Sequence, residues 1–142
     1  MPFIQVAAQE GLLSKEERQD LMKRLSDAII RAEGADPSEP SAQAMAWGHY
    51  HDLPKGDLFV YGEVVDAPPV HVSFTTPEGL LTDATRDALT AEVNTAVDDI
   101  LGAYEGRMNH WVILHEVPSG QWGGMGQVFP TDAIKAVMKV PA

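Results

Sequence analysis

The chain has 142 residues, contains no cysteine and carries a formal charge of −11 at neutral pH. This length suits one compact domain, and the lack of cysteine excludes disulfide bridges, thiolate catalysis and cysteine-bound metal centres. Nucleic acids and anionic membrane surfaces attract clustered Lys and Arg, so neither is an expected partner. No apolar run approaches the ~20 residues of a membrane span, and the N-terminus does not resemble a signal peptide, which predicts a cytoplasmic protein.

An internal repeat divides the chain into two units. Residues 4–34 resemble residues 72–102, and residues 47–56 resemble residues 111–120. We therefore predict a single domain, residues 1–142, made of a first unit over residues 2–66, a second over residues 69–126 and a tail over residues 127–142.

The first unit has the pattern strand, helix, strand. Apolar and polar residues alternate over residues 3–8, which is typical of a strand buried on one side. Ser14, with a glutamate three residues later, forms a capping box that begins a helix predicted over residues 15–33, and Gly34 ends it in a left-handed turn. A strand predicted over residues 44–51 should run parallel to the first, because a helical crossover joins the two.

The second unit repeats this order. Residues 70–75 alternate like the first strand, Thr82 caps a second helix that Gly102 ends, and a strand is predicted over residues 111–117. Two such units side by side predict an α+β fold, in which a four-stranded mixed sheet carries two helices on one face.

The tail has no counterpart in the first unit. Residues 121–126 are rich in glycine and predict a turn or hairpin, and a short helix is predicted over residues 131–139. We expect this C-terminal segment to serve assembly or to close a site.

Three features together resemble the tautomerase superfamily, typified by 4-oxalocrotonate tautomerase. They are the Met1-Pro2 start, the Glu-Gly pair before each helix (Glu10-Gly11 and Glu78-Gly79), and Glu116-x-x-x-Gly120 before the glycine-rich hairpin. The length is similar to that of fused, two-unit members such as cis-3-chloroacrylic acid dehalogenase, malonate semialdehyde decarboxylase and macrophage migration inhibitory factor. The resemblance implies a homotrimer that acts on a small-molecule carbonyl or enol substrate without a cofactor.

The resemblance makes Pro2 the candidate catalytic residue. Removal of Met1 would expose a secondary amine, whose ordinary pKa lies around 8, whereas retention of Met1 would leave an amide nitrogen that cannot act as a base. Burial of the free amine would lower its pKa and leave a neutral base near pH 7, suited to keto-enol or allylic tautomerisation. A cationic proline would instead act as a general acid, the arrangement associated with hydratases and decarboxylases of the superfamily.

The arginines that hold carboxylates in the family are missing. Their positions correspond to Leu12 and Leu80 after the Glu-Gly pairs and to Trp47 and Trp111 on the second strands. A planar bidentate donor suits a carboxylate, so a dicarboxylate would find few partners here. We expect a mono-anionic or neutral carbonyl compound.

The resemblance also indicates which side chains contact this substrate. Trp122 in the hairpin, with Trp111 and Ile113 on the last strand, matches pocket positions of relatives, and His71 is a candidate for polarising the substrate. The tyrosine and glutamate that activate water in the cis-dehalogenase correspond to Ile113 and Gly124, so dehalogenation by that mechanism is not expected.

Other interpretations compete with this one. His49 and His51, with Asp52 or Glu116, are metal-ligand types, but residues two apart on a strand share a face in any case, so we predict no metal site. A trimeric ligand-binding protein that lost catalysis would explain the missing arginines. A ferredoxin-like barrel of the monooxygenase type shares the element order but gives no reason for an N-terminal proline.

Overall fold

A computed structural model describes all residues from Met1 to Ala142. The first unit consists of β1 (Phe3–Gln9), α1 (Lys15–Ala32), α2 (Pro40–Met45) and β2 (Trp47–Leu53). The second unit consists of β3 (Val70–Pro77), α3 (Asp83–Leu101) and β4 (His110–Val117). The C-terminal segment forms β5 (Trp122–Gly124), β6 (Gln127–Phe129) and α4 (Thr131–Val137). No helix is both long and apolar enough to cross a lipid bilayer.

The two units form one four-stranded sheet in the order β2-β1-β3-β4. Within each unit the strands are parallel, and the units meet through the antiparallel pair β1 and β3. The predicted mixed sheet of two β-α-β units is therefore confirmed, as is the hairpin, in which β5 pairs with β6.

The core lies between the sheet and the helices α1 and α3. The alternation predicted from the sequence places Ile4, Val6, Val72 and Phe74 on the covered face, and all four side chains are fully buried. They pack against the apolar stripes of the two helices, which include Leu21, Leu25, Ile29, Leu89, Val93 and Val97. Both predicted helices begin at a capping box, formed at Ser14 and at Thr82.

The repeat extends to equivalent ion pairs. Arg18 Nη1 lies 2.9 Å from Asp52 Oδ2 in the first unit, and Arg86 Nη2 lies 2.7 Å from Glu116 Oε2 in the second. Each pair ties the start of a helix to the end of the neighbouring strand. Asp52 and Glu116 are therefore each paired with an arginine.

The predicted start of the second strand was wrong. Ala44 and Met45 belong to α2, and β2 begins only at Trp47. The short helix forms because Pro40 occupies its first turn, where a missing N–H costs nothing, and because the Glu39 side chain accepts from the Ser41 N–H.

The second face of the sheet is open and carries three rows of side chains. The strand register defines the rows as Trp47, Phe3, Thr75 and His115; His49, Gln5, Ser73 and Ile113; and His51, Ala7, His71 and Trp111. Trp47 is 71% exposed and Trp111 is 61% exposed. Within one chain, this face has no covering layer.

The C-terminal segment packs back on its own chain. Ile134 and Met138 are fully buried in a second cluster with Ile30, Ala35, Ala42 and Leu80, against which Met1, Trp122 and Phe129 pack. Lys139 Nζ also contacts Glu39 Oε1 at 2.8 Å. The segment therefore covers the part of the molecule where the chain begins.

Candidate functional site

Pro2 is buried at the start of β1, on the side of the molecule that the C-terminal segment covers. Its carbonyl oxygen accepts a hydrogen bond from the Trp47 N–H at 3.2 Å. Met1 is attached, so the Pro2 nitrogen in this chain is an amide. The Met1 side chain is only 12% exposed and packs against the second cluster.

The N-terminal amine forms an ion pair with the buried carboxylate of Glu33. The Met1 nitrogen lies 2.8 Å from Glu33 Oε2, and the Thr76 hydroxyl donates to Glu33 Oε1 at 2.5 Å. Glu33 is 1% exposed and Thr76 is fully buried. Both carboxylate oxygens are therefore satisfied in this chain.

The end of α1 places Glu33 in this position. Glu33 is the C-cap, and its N–H donates to the Ile29 carbonyl at 2.9 Å. The next residue, Gly34, has φ +89°, and the Ala35 N–H then donates to the Ile30 carbonyl at 3.1 Å. This is the hydrogen-bond pattern of a Schellman turn, which favours glycine at the left-handed position.

Burial acts in opposite directions on the two ionisable groups. It raises the pKa of Glu33, and the N-terminal amine and Thr76 oppose this by stabilising the carboxylate. It lowers the pKa of the Met1 amine, and the Glu33 charge opposes that shift. Because the two groups are 2.8 Å apart, the protonation of one alters the pKa of the other.

Pro2 lies close to the same carboxylate. Successive backbone nitrogens are within about 3.7 Å of each other, so the Pro2 nitrogen is within roughly 6.5 Å of Glu33 Oε2, given the 2.8 Å contact of Met1. An opposite charge within about 4–6 Å shifts a pKa, and the upper bound on the Pro2–Glu33 distance lies just beyond that range. Removal of Met1 makes the Pro2 amine the N-terminal group that lies near Glu33.

The walls around Met1 are apolar. Leu80, at one of the family's arginine positions, belongs to the second cluster with Ile134 and Met138, and Trp122 packs against this cluster from the hairpin. Leu12, at the equivalent position of the first unit, packs against the main core instead. The structure thus brings Trp122 and Pro2 to the same side of the molecule.

The other predicted site residues lie elsewhere in the chain. His71 pairs with Ala7 in register, four residues along β1 from Phe3, which corresponds to about 13 Å. Trp111 is the register partner of His71 on β4, and Ile113 lies one row nearer to the Pro2 end. His71 and Trp111 line an open groove of about 700 Å³ with Phe59 and Tyr61. The roles of His71, Trp111 and Ile113 in substrate binding remain predictions.

The histidines proposed as metal-ligand types do share a face. The His49 and His51 rings meet edge to face, with centroids 5.8 Å apart. No group of three or more His, Asp or Glu side chains in the chain is arranged to hold a metal ion.

Glu33 and Thr76 were not identified from the sequence, although their spacing contained a signal. Glu33 follows Ile29 by four residues on the buried stripe of α1, and Thr76 follows Phe74 by two on the covered face of β3. Both are thus polar residues at positions that helix and strand periodicity assign to the core. Buried polar groups of this kind require hydrogen-bond partners, and Thr76 and Glu33 are bonded to each other.

Similarity to known proteins comes from solved structures. No protein-family model matches the chain, and no curated protein matches it. The crystal structure of Pt0534 inactivated by 2-oxo-3-pentynoate is 26% identical, with a TM-score of 0.74 over 93% of this chain and 98% of the other. A symmetric trimer of a wild-type fused 4-OT is 25% identical, with a TM-score of 0.72 over 94% and 98% of the two chains. A cis-3-chloroacrylic acid dehalogenase family member, N1, is 21% identical, with a TM-score of 0.71 over 90% of this chain and 83% of the other.

Proposed function

We propose that this chain, which has the fused two-unit fold of the tautomerase superfamily, is a cofactor-independent tautomerase. Its general base is the secondary amine of Pro2, freed by removal of Met1. The substrate is a small carbonyl or enol compound that carries at most one carboxylate. Trp122 shapes the pocket, and Trp111, Ile113 and His71 are the further candidates for substrate contacts.

The observation that carries this proposal is the environment of the chain start. Pro2 is buried, and burial lowers the pKa of the amine that precedes it, even with Glu33 alongside. The same surroundings would act on the Pro2 amine after processing. A secondary amine with a pKa brought toward neutrality is a suitable base for removing a proton next to a carbonyl group.

The walls of the site favour a substrate with an apolar body. Met1 packs against the second cluster, and its nitrogen contacts Met138 Sδ, so an alkyl or aryl group of similar size would take its place. Because Leu80 occupies an arginine position of the family, a second carboxylate has no bidentate partner on this wall.

The activity is tested by following the enol-to-ketone conversion of phenylpyruvate in ultraviolet light. Mass spectrometry first establishes that Met1 is absent from the sample. We expect Pro2→Ala to lower kcat/KM by about 10²–10⁴-fold, the usual contribution of a general base. Full activity in Pro2→Ala, or in chains that retain Met1, would overturn the proposal.

A second test labels the base without requiring turnover. Addition of a neutral amine to the triple bond of 2-oxo-3-pentynoate forms an N–C bond, breaks one π-bond and moves the amine proton to the neighbouring carbon. We expect one adduct per processed chain, located at Pro2 by peptide mapping, and no adduct at Pro2 in chains that keep Met1. A processed protein that is neither labelled nor active would favour a non-catalytic ligand-binding protein on this scaffold.

A hydratase or decarboxylase is the second candidate, and the Glu33 contact favours it. A carboxylate 2.8 Å from an N-terminal amine stabilises the ammonium form, and a cationic proline acts as a general acid. Titration of ¹⁵N-labelled Pro2 by NMR distinguishes the two candidates. A pKa below 8 supports the tautomerase, and a pKa well above 8 supports the acid-type enzyme.

We also propose that the protein assembles as a homotrimer. The sheet has one uncovered face with two exposed tryptophans, and its outer strands β2 and β4 each lack a partner along one edge. Such edges and patches favour association. Several of the similar structures are fused 4-OT trimers, and a trimer of this chain would carry three Pro2 sites.

A further inference from the structure

The Met1 amine marks a polar position beside the proposed base. Its nitrogen is 2.8 Å from Glu33 Oε2 and, by covalent geometry, within about 3.7 Å of the Pro2 nitrogen. Removal of Met1 frees this position together with the apolar space that the Met1 side chain fills. A substrate bound there would place a polar atom against Glu33 and its body against the second cluster, beside Met138.

We infer that Glu33 is the acid of the site, and that it donates its proton to the carbonyl oxygen of the substrate while Pro2 takes a proton from the adjacent carbon. This inference rests on the proposed tautomerase activity. It assigns the polarising role of the missing arginines to a buried carboxylic acid, which supplies the hydrogen bond that a developing enolate oxygen requires.

The environment favours the protonated acid when the proline is neutral. Without a cation in contact, Glu33 has only the Thr76 hydroxyl to support its charge, while burial opposes ionisation. A buried carboxylic acid that keeps its proton is a hydrogen-bond donor to the substrate.

The proton transfers balance within the site. Pro2 nitrogen forms an N–H bond as the C–H bond next to the carbonyl breaks, and the oxygen receives the Glu33 proton as the C=C bond of the enol forms. The site then holds prolinium and carboxylate. Transfer of one proton from Pro2 to Glu33 restores the starting pair, so tautomerisation consumes no other reactant.

The test compares pH profiles of kcat/KM for phenylpyruvate in Met1-processed protein. The working pair holds one proton, so the unmodified enzyme should show a bell-shaped profile. Glu33→Gln keeps the shape of the side chain but has no proton to transfer. We expect it to lose at least about 10²-fold in kcat and to lose the alkaline limb, leaving a profile that rises to a plateau.

Two further measurements separate this inference from the proposed function. The ¹⁵N signal of Pro2 should titrate in two coupled steps in the unmodified protein and in one step in Glu33→Gln, with no substrate present. Thr76→Val removes the hydroxyl that stabilises the carboxylate and should therefore move the alkaline limb to higher pH. This variant tests the role of Glu33 if Glu33→Gln does not fold.

The matched control is Glu16→Gln, an exposed carboxylate in the first turn of α1, which should leave the profile unchanged. An alkaline limb that persists in Glu33→Gln, or a Pro2 titration identical in both proteins, overturns the role of Glu33 even where Pro2→Ala is inactive. Full activity in Pro2→Ala overturns the proposed function instead.

Discussion

Thr76 donates its hydroxyl hydrogen to Glu33 Oε1 at 2.5 Å, across 43 residues of chain. This bond joins the end of α1 to β3 and holds the carboxylate beside the N-terminus. A hydrogen bond to a charged group contributes about 1.5–3 kcal/mol, so Thr76→Val should lower the free energy of unfolding at pH 7 by about 2 kcal/mol. Thr75→Val, on the open face of the same strand, should change it little. Equal losses measured by urea unfolding would contradict a specific role for Thr76.

The buried carboxylate predicts a pH dependence of stability in the chain that carries Met1. Burial raises the folded-state pKa of Glu33 above its ordinary value of 4.5. Between these two pKa values the folded state binds more protons than the unfolded state, so the free energy of unfolding falls as pH rises. Glu33→Gln removes this pH-dependent fall in the free energy of unfolding, because glutamine does not ionise. The variant should therefore gain stability relative to the parent as pH is raised above about 4.5, as urea midpoints will show.

Glu39→Gln provides a control of opposite sign. The Lys139 hydrogen bond lowers the pKa of Glu39, so this carboxylate adds stability above its unfolded pKa and loses it as pH falls through the folded value. Relative to the parent, Glu39→Gln should lose stability as pH rises toward about 4.5 and should show no further change above it. The same slope in both variants would contradict the burial argument for Glu33.

The turn after Glu33 depends on a glycine. Gly34 has φ +89°, and a Cβ there would lie 3.2 Å from Val140 Cγ1. Gly34→Ala should cost about 1–2 kcal/mol for the left-handed backbone and more for the crowding. Gly11→Ala is the control, since φ is +79° but no atom lies within 4 Å of the added Cβ. Urea unfolding should show a larger loss at Gly34, and equal losses would exclude the contact with Val140.

The helix α4 is expected to stabilise the chain and to close the site. Ile134 is fully buried in the second cluster, whereas Val137 on the same helix is 40% exposed. Ile134→Ala should lower the free energy of unfolding by about 2–5 kcal/mol, and Val137→Ala by well under ~1 kcal/mol. If α4 closes the substrate pocket, Ile134→Ala should also raise KM for phenylpyruvate. An unchanged KM would limit α4 to a role in stability.

Much of the fold follows from periodicity, because alternation in the strands and the apolar stripes in the helices reflect one shared core. The parallel pairing within each unit follows from the crossovers, whereas the sequence did not specify that β1 and β3 form the centre of the sheet. The helix α2 escaped prediction because six residues provide too little periodicity to separate them from the start of a strand. Its Pro40 and the Glu39 cap were the only local signals.

The site was predictable only in part. Pro2 is a candidate because of its place at the start of the chain and the family resemblance, whereas charge counting along α1 treats Glu33 as one of several surface charges. Its burial depends on the tail, since Met138 and Ile134 cover the same region, and a helical pattern does not show where a tail packs. The alternation of β3 places Thr76 in the core, but its hydrogen bond to Glu33 is seen only in the folded chain.

The open face of the sheet predicts the assembly state. Trp47 and Trp111 occupy opposite corners of this face and are largely exposed, and burying the exposed part of one indole contributes roughly 2–4 kcal/mol. We expect light scattering to give the mass of a trimer, and Trp111→Lys to shift it toward a monomer with an unchanged circular dichroism spectrum. Ala91→Lys, on the exposed side of α3, should stay trimeric. A monomeric unmodified protein, or trimers of equal stability in both variants, would show that this face is not the contact surface.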